Sequence, residues 1–191
     1  MAIHVSIPRP VLNRSTPLFI LSLLALASAL ASFAFACATP FAAFAVVAAA
    51  TLPLSSALCV VMTAWIVNQT IGFGALHYPV DTAAVLWGII IGAAVLAATA
   101  AAAAVLRFAR GTNGFAGLGL ALAAAYAAYE LALGAATPFL GGEDAFAAAI
   151  VGRIGLLNVV WLIGLIAATE TARLVNSHLR RRTAPQSAAR A

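Results

Sequence analysis

The sequence predicts an all-α fold, a polytopic transmembrane helical bundle of about five spanning helices with a cytoplasmic C-terminus. Three observations predict it. Of 191 residues 64% are hydrophobic and only 8% charged, where a soluble domain carries about 25% charged residues. No Asp, Glu, Lys or Arg occurs between Ser15 and Val80, a stretch far longer than the roughly 20 apolar residues that cross a bilayer. The remaining apolar runs are cut by short segments that hold Pro, Gly and nearly all the charge.

The elements follow in order. Residues 1–16 form a polar tail with Pro8 and Pro10. Pro17, behind Ser15 and Thr16, suits the first turn of a helix, which runs over residues 17–36. Arg9, Arg14 and the Ala36-Cys37-Ala38 triplet resemble a signal peptide. The apolar run exceeds a signal h-region in length, so an uncleaved first helix is expected. Thr39-Pro40 breaks the chain. The second apolar segment, residues 41–67, carries Pro53 in its middle, which either kinks one long tilted helix or splits it in two. Residues 68–82 are a polar loop. The third span covers residues 83–106, the fourth 115–137 with a stop at Pro138, and the fifth 145–169. Residues 17–170 thus make the transmembrane domain, and residues 171–191 a basic tail with Arg173, Arg180, Arg181, Arg182 and Arg190.

Arginine placement sets orientation. A cytoplasmic C-terminal tail puts the Arg107/Arg110 loop inside and the Glu143/Asp144 loop outside. Five crossings then leave Arg9 and Arg14 outside, against the rule. A split at Pro53 into two half-helices brings them inside, provided that protein surrounds the halves. The sequence favours five helices, the second kinked. Gly88 and Gly92 form a GxxxG pair, and Ala124, Ala128, Ala132 and Ala136 repeat small residues at the same spacing, which suits close helix packing.

Composition excludes several chemistries. Lysine is absent, so no lysine imine can form. Cys37 and Cys59 sit in apolar surroundings without a CxxC. His4, His77 and His178 lie outside the membrane centre, so no metal and no other cofactor is expected. The basic residues occupy tails and one loop, which fits orientation better than nucleic-acid binding. No GxSxG, HExxH or Walker A motif occurs, and the expectation is a protein that is not an enzyme.

Two groups of residues are candidates for function. Glu130 and Arg153 lie inside the fourth and fifth spans, each ~10–12 Å below the outer surface at 1.5 Å per residue. Isolated charges there are costly, so an ion pair between them is expected, either as the floor of a ligand site or as a staple. Tyr126, one turn before Glu130, lies on the same face and can hydrogen-bond it, whereas Asn158 points to another helix interface. The second group is the external loop and its flanks. Asn68, Gln69, His77, Tyr78 and Asp81 can cap a solute pocket, and Gly72-Phe73-Gly74 allows tight backbone. Trp65, Tyr78 and Trp87 equally suit an aromatic belt.

The leading functional expectation is a membrane subunit that binds or transports a small solute through a site open to the external face. Such a subunit borrows any ATPase from a partner, and the bilayer setting is a bacterial inner membrane. In size and hydropathy alone the chain resembles the substrate-binding membrane subunits of energy-coupling-factor vitamin transporters. The alternative is a non-catalytic accessory or assembly subunit of a larger membrane complex, with its arginine run on anionic lipid or a cytoplasmic partner.

Overall fold

The computed structural model describes residues 15–35, 38–109 and 114–183. Cys37, His4, Arg9, Arg14, Arg110 and Arg190 lie outside the described residues, as do the side chains of His178, Arg180, Arg181 and Arg182. The described chain is helical throughout: α1 (Ser15–Phe35), α2 (Phe41–Thr51), α3 (Leu54–Thr70), α4 (Thr82–Phe108), α5 (Gly114–Leu140) and α6 (Ala148–Thr183). A π-helical turn, Ile71–Ala75, extends α3, and a 3-10 turn, Glu143–Phe146, precedes α6. Five of these helices are long and apolar enough to cross a membrane, and α2 is the short one. The protein is an integral membrane helical bundle.

The second apolar segment is split, not kinked. Leu52 is extended (φ −125°, ψ 155°) and Pro53 follows with ψ 149°. Proline crowds the residue before it out of the helical region and supplies no N–H to continue the ladder. The resulting α2 is too short to face lipid as a spanning helix, and it does not face lipid. Every residue from Phe41 to Ala48 is buried, with α2 packed on α3, α4, α5 and α6.

Chain direction follows from the contacts. The Ser28 hydroxyl donates to the Ala64 carbonyl (2.7 Å) and Asn68 Nδ2 donates to the Ser32 hydroxyl (2.8 Å). Both contacts have a sequence offset of 36. A constant offset means that α1 and α3 run parallel, so α2 must carry the chain back between them. Trp65 meeting Gly88 and Gly92, and Tyr126 meeting Gly155, set α3 against α4 and α5 against α6 as antiparallel pairs. The backbone therefore makes six passes, with five reversals, across the bundle, and residues 15 and 183 end on the same side. Arg107 and Arg173 share that basic face. Asp81, Glu143 and Asp144 share the opposite, acidic face. The five long apolar helices expected from hydropathy are present; the short α2 adds a return pass between α1 and α3, so Ser15 lies at the basic face.

Local chemistry ends the helices. Asp81 caps α4, its Oδ1 accepting from the Ala84 N–H at 2.8 Å, as short acceptors at N-caps do. Pro138 does not stop α5, which continues to Leu140. Proline cannot donate to the Gly134 carbonyl four residues back, and the Thr137 hydroxyl donates to that carbonyl instead at 2.6 Å. Gly141 and Gly142 then take φ of 75° and 92°, a left-handed exit that favours glycine.

The six-pass layout is testable by cysteine accessibility in a Cys37→Ala, Cys59→Ala background. Val5→Cys and Gln186→Cys are expected to react with a membrane-impermeant maleimide from the same side, and Glu143→Cys only from the other. Reaction of positions 5 and 186 from opposite sides would overturn it.

Candidate functional site

Glu130 and Arg153 do not form the expected ion pair. Among the described residues the ion pair is Arg173–Glu170, at 2.9 Å on the exposed end of α6. Glu130 and Arg153 differ in azimuth and also by about one turn in depth. Val151 and Gly155 are the α6 residues that meet Tyr126 of α5. Arg153 is two residues from each, about 200° round the helix, and so points away, exposed. Its long side chain can carry the guanidinium outward toward the interface.

The two helices hardly touch at all. Both pack on α2, and α5 packs most extensively on α4. Phe41 sits 6.3 Å from Tyr129 of α5, and Phe44 packs edge-on to Trp161 of α6 at 6.2 Å. Between α5 and α6 this leaves a cleft of about 650 Å3. Leu118, Leu122, Leu162, Ile163 and Ile166 are among its walls, and Gly119 and Ala123 line it on α5. Tyr126 closes its end toward the acidic face. The Tyr126 hydroxyl donates to the Val151 carbonyl across the gap at 2.7 Å, and its ring lies against Gly155. The Glu130 carboxyl, half-buried one turn further out, also interacts with that hydroxyl. The expected Tyr126–Glu130 proximity is therefore present, without the arginine.

Asn68 and Gln69 turn inward into a hydrogen-bond network. Asn68 Nδ2 donates to the hydroxyls of Ser32 (2.8 Å) and Thr39 (2.9 Å), and Gln69 Nε2 donates to Asn68 Oδ1 at 3.0 Å. This ties α1, the turn before α2, and α3 together. Gln69 and Trp65, one turn apart on α3, fill the hollows left by Gly88 and Gly92, with the Trp65 indole N–H donating to the Gly88 carbonyl at 3.0 Å. The GxxxG pair therefore receives side chains, and Trp65 packs inward instead of joining an interfacial belt.

The loop between α3 and α4 folds on itself. The Tyr78 ring lies over Gly72, where an added Cβ would approach it within 2.9 Å, and edge-on to Phe73 at 6.5 Å. His77 takes φ 55° and its Nδ1 donates to the Gly74 carbonyl at 3.0 Å. Trp87 rests near Gly142. None of Asn68, Gln69, His77, Tyr78 and Asp81 lines the α5/α6 cleft. A second groove, of about 340 Å3, runs between α1 and α3 past Pro17, Leu21, Ser56, Cys59 and Thr63. Among the described residues no three His, Cys, Asp or Glu side chains gather as metal ligands do.

Asn158 is the residue whose role sequence reasoning placed only in outline. It is 2% exposed. Its Oδ1 accepts from the Ala43 N–H at 3.0 Å, and its Nδ2 donates to the Ile154 carbonyl at 3.0 Å. It thus caps α2 from another helix. The signal was there in a lone amide inside an apolar span, but its partner was not.

No protein-family model, curated protein or solved structure is significantly similar to the chain. The functional reading therefore stands on geometry.

Asn158→Leu keeps the volume and leaves the Ala43 N–H without an acceptor. A loss of about 1–3 kcal/mol is expected, read as a shifted unfolding midpoint in mixed dodecylmaltoside–SDS micelles. An unchanged midpoint would show that the cap contributes nothing.

Proposed function

We propose that this protein is an integral membrane subunit that binds a small apolar or amphipathic molecule, and that the site is the α5/α6 cleft. One observation carries the reading. Two neighbouring spans are held apart by a third helix, and the gap between them is ligand-sized, since small-molecule pockets run from about 300 to 1,000 Å3. The apolar walls suit a molecule that partitions into the bilayer and enters sideways, so the external opening expected from sequence is not required. The polar residues of the outer loop and of the Asn68 network act, in this reading, as structure.

The basic face is assigned to the cytoplasm, because arginine-rich segments are retained there; a bacterial inner membrane is the setting proposed. The subunit performs no chemistry of its own in this reading. If the bound molecule is moved with ATP, a partner protein supplies the ATPase.

Saturable photolabelling tests the site. A neutral diazirine-bearing fatty alcohol, added to the purified protein in phosphatidylcholine nanodiscs, is expected to label Val159 and Ile163 to saturation. Ala123→Trp fills the cleft and is expected to cut that labelling by about tenfold, a change equivalent to ~1.4 kcal/mol, with labelling of α1 unaffected. Labelling that never saturates, or that Ala123→Trp leaves intact, would mean lipid contact only. Co-purification of a stoichiometric membrane protein that shields the cleft would favour the accessory-subunit reading.

A further inference from the structure

Beyond the Tyr126 end of the cleft lies a carboxyl group, Glu130, that no cation accompanies among the described residues. Glu130 lies seven residues beyond Ala123 on α5, two turns along the same stripe and ~10 Å further toward the acidic face. Gly119, one turn before Ala123, opens the same stripe: a side chain built there meets nothing within 4 Å. Tyr126 ends the cleft one turn short of Glu130, so a molecule lying along Gly119 and Ala123 reaches the Glu130 carboxyl by extending past the Tyr126 ring.

Among the described residues no cation pairs with Glu130. Arg153, level with Tyr126 and one turn short of Glu130, faces away from α5. Arg173 is taken by Glu170, and Arg107 lies at the basic end of α4. The Tyr126 hydroxyl gives its one hydrogen to Val151, so it has none to donate to the Glu130 carboxyl. A carboxylate within a spanning segment is expensive unless a partner joins it. A positive group brought by the ligand supplies that partner, and the adjacent Tyr126 ring face adds attraction for the same charge.

We propose that the cleft takes lipophilic monocations, their apolar body between α5 and α6 and their charged nitrogen or phosphonium beside Glu130 and Tyr126. This rests on the reading of the cleft as a binding site. It adds the ligand's charge and names Glu130 as the group that selects it.

The test uses the full chain in phosphatidylcholine nanodiscs, with tetraphenylphosphonium as the cation and triphenylphosphine oxide as a neutral relative. Equilibrium dialysis is expected to give one saturable tetraphenylphosphonium site, preferred over the neutral probe by about tenfold or more. Glu130→Gln is expected to erase the preference, and Glu130→Asp to keep most of it. Ala123→Trp is expected to abolish binding of both probes. The wild-type preference reads the proposal even if Glu130→Gln fails to fold. Equal binding of both probes, or a preference that survives Glu130→Gln, overturns the cation assignment and leaves the cleft as a site for neutral molecules. Failure of both probes to bind, or binding that Ala123→Trp does not affect, overturns the cleft reading itself.

Discussion

The structure depends on satisfying the backbone of one short helix in the middle of the bundle. In hydrocarbon no water is available to the first N–H groups of a helix, and each one left unpaired costs several kcal/mol. The N–H of Phe41 goes to the Thr39 carbonyl, that of Phe44 to the Pro40 carbonyl, and that of Ala43 to Asn158 of α6. Pro40 has no N–H to satisfy. The start of α2 is thereby tied both to its own turn and to a helix more than a hundred positions later in the chain.

Much of the rest follows from that arrangement. Asn158 sets the depth of α6 against α2, and the Phe44–Trp161 contact sets its rotation. The same rotation sends Val151 and Gly155 toward α5 and Arg153 away from it. Phe41 meets Tyr129 on the other flank, so α5 and α6 are spaced by α2 and not by their own side chains. The cleft is a geometric consequence of the central helix. The Asn68 network performs the corresponding task on the opposite side, where it fastens the turn before α2 to α1 and α3.

Part of the candidate site was legible in residue order and part was not. Depth can be counted, because rise per residue is nearly constant. Counting put Glu130 and Arg153 at comparable depths, and Tyr126 and Glu130 one turn apart on one face of a single helix. Azimuth between different helices cannot be counted. The short α5–α6 connection suggested tightly packed neighbours, yet α5 packs chiefly on α4, and both α5 and α6 pack more on α2 than on each other. Asn68, Gln69 and Trp65 were ambiguous for a related reason. A polar or aromatic residue near a span's end serves an interface or a core equally well until the facing surface is known. The hollows at Gly88 and Gly92 decided it for Trp65 and Gln69, and the hydroxyls of Ser32 and Thr39 for Asn68.

By itself the sequence determined that the protein is a membrane helical bundle, where most helices begin and end, and which few residues are too polar to be explained by lipid. Those properties are local, set by composition, proline and hydropathy over one or two turns. Only the tertiary structure decided that residues 41–67 hold two helices, the first buried over most of its length, and that α1 and α3 run parallel. Hydropathy measures how apolar a segment is. It cannot report whether lipid or protein surrounds that segment, because both are equally dry.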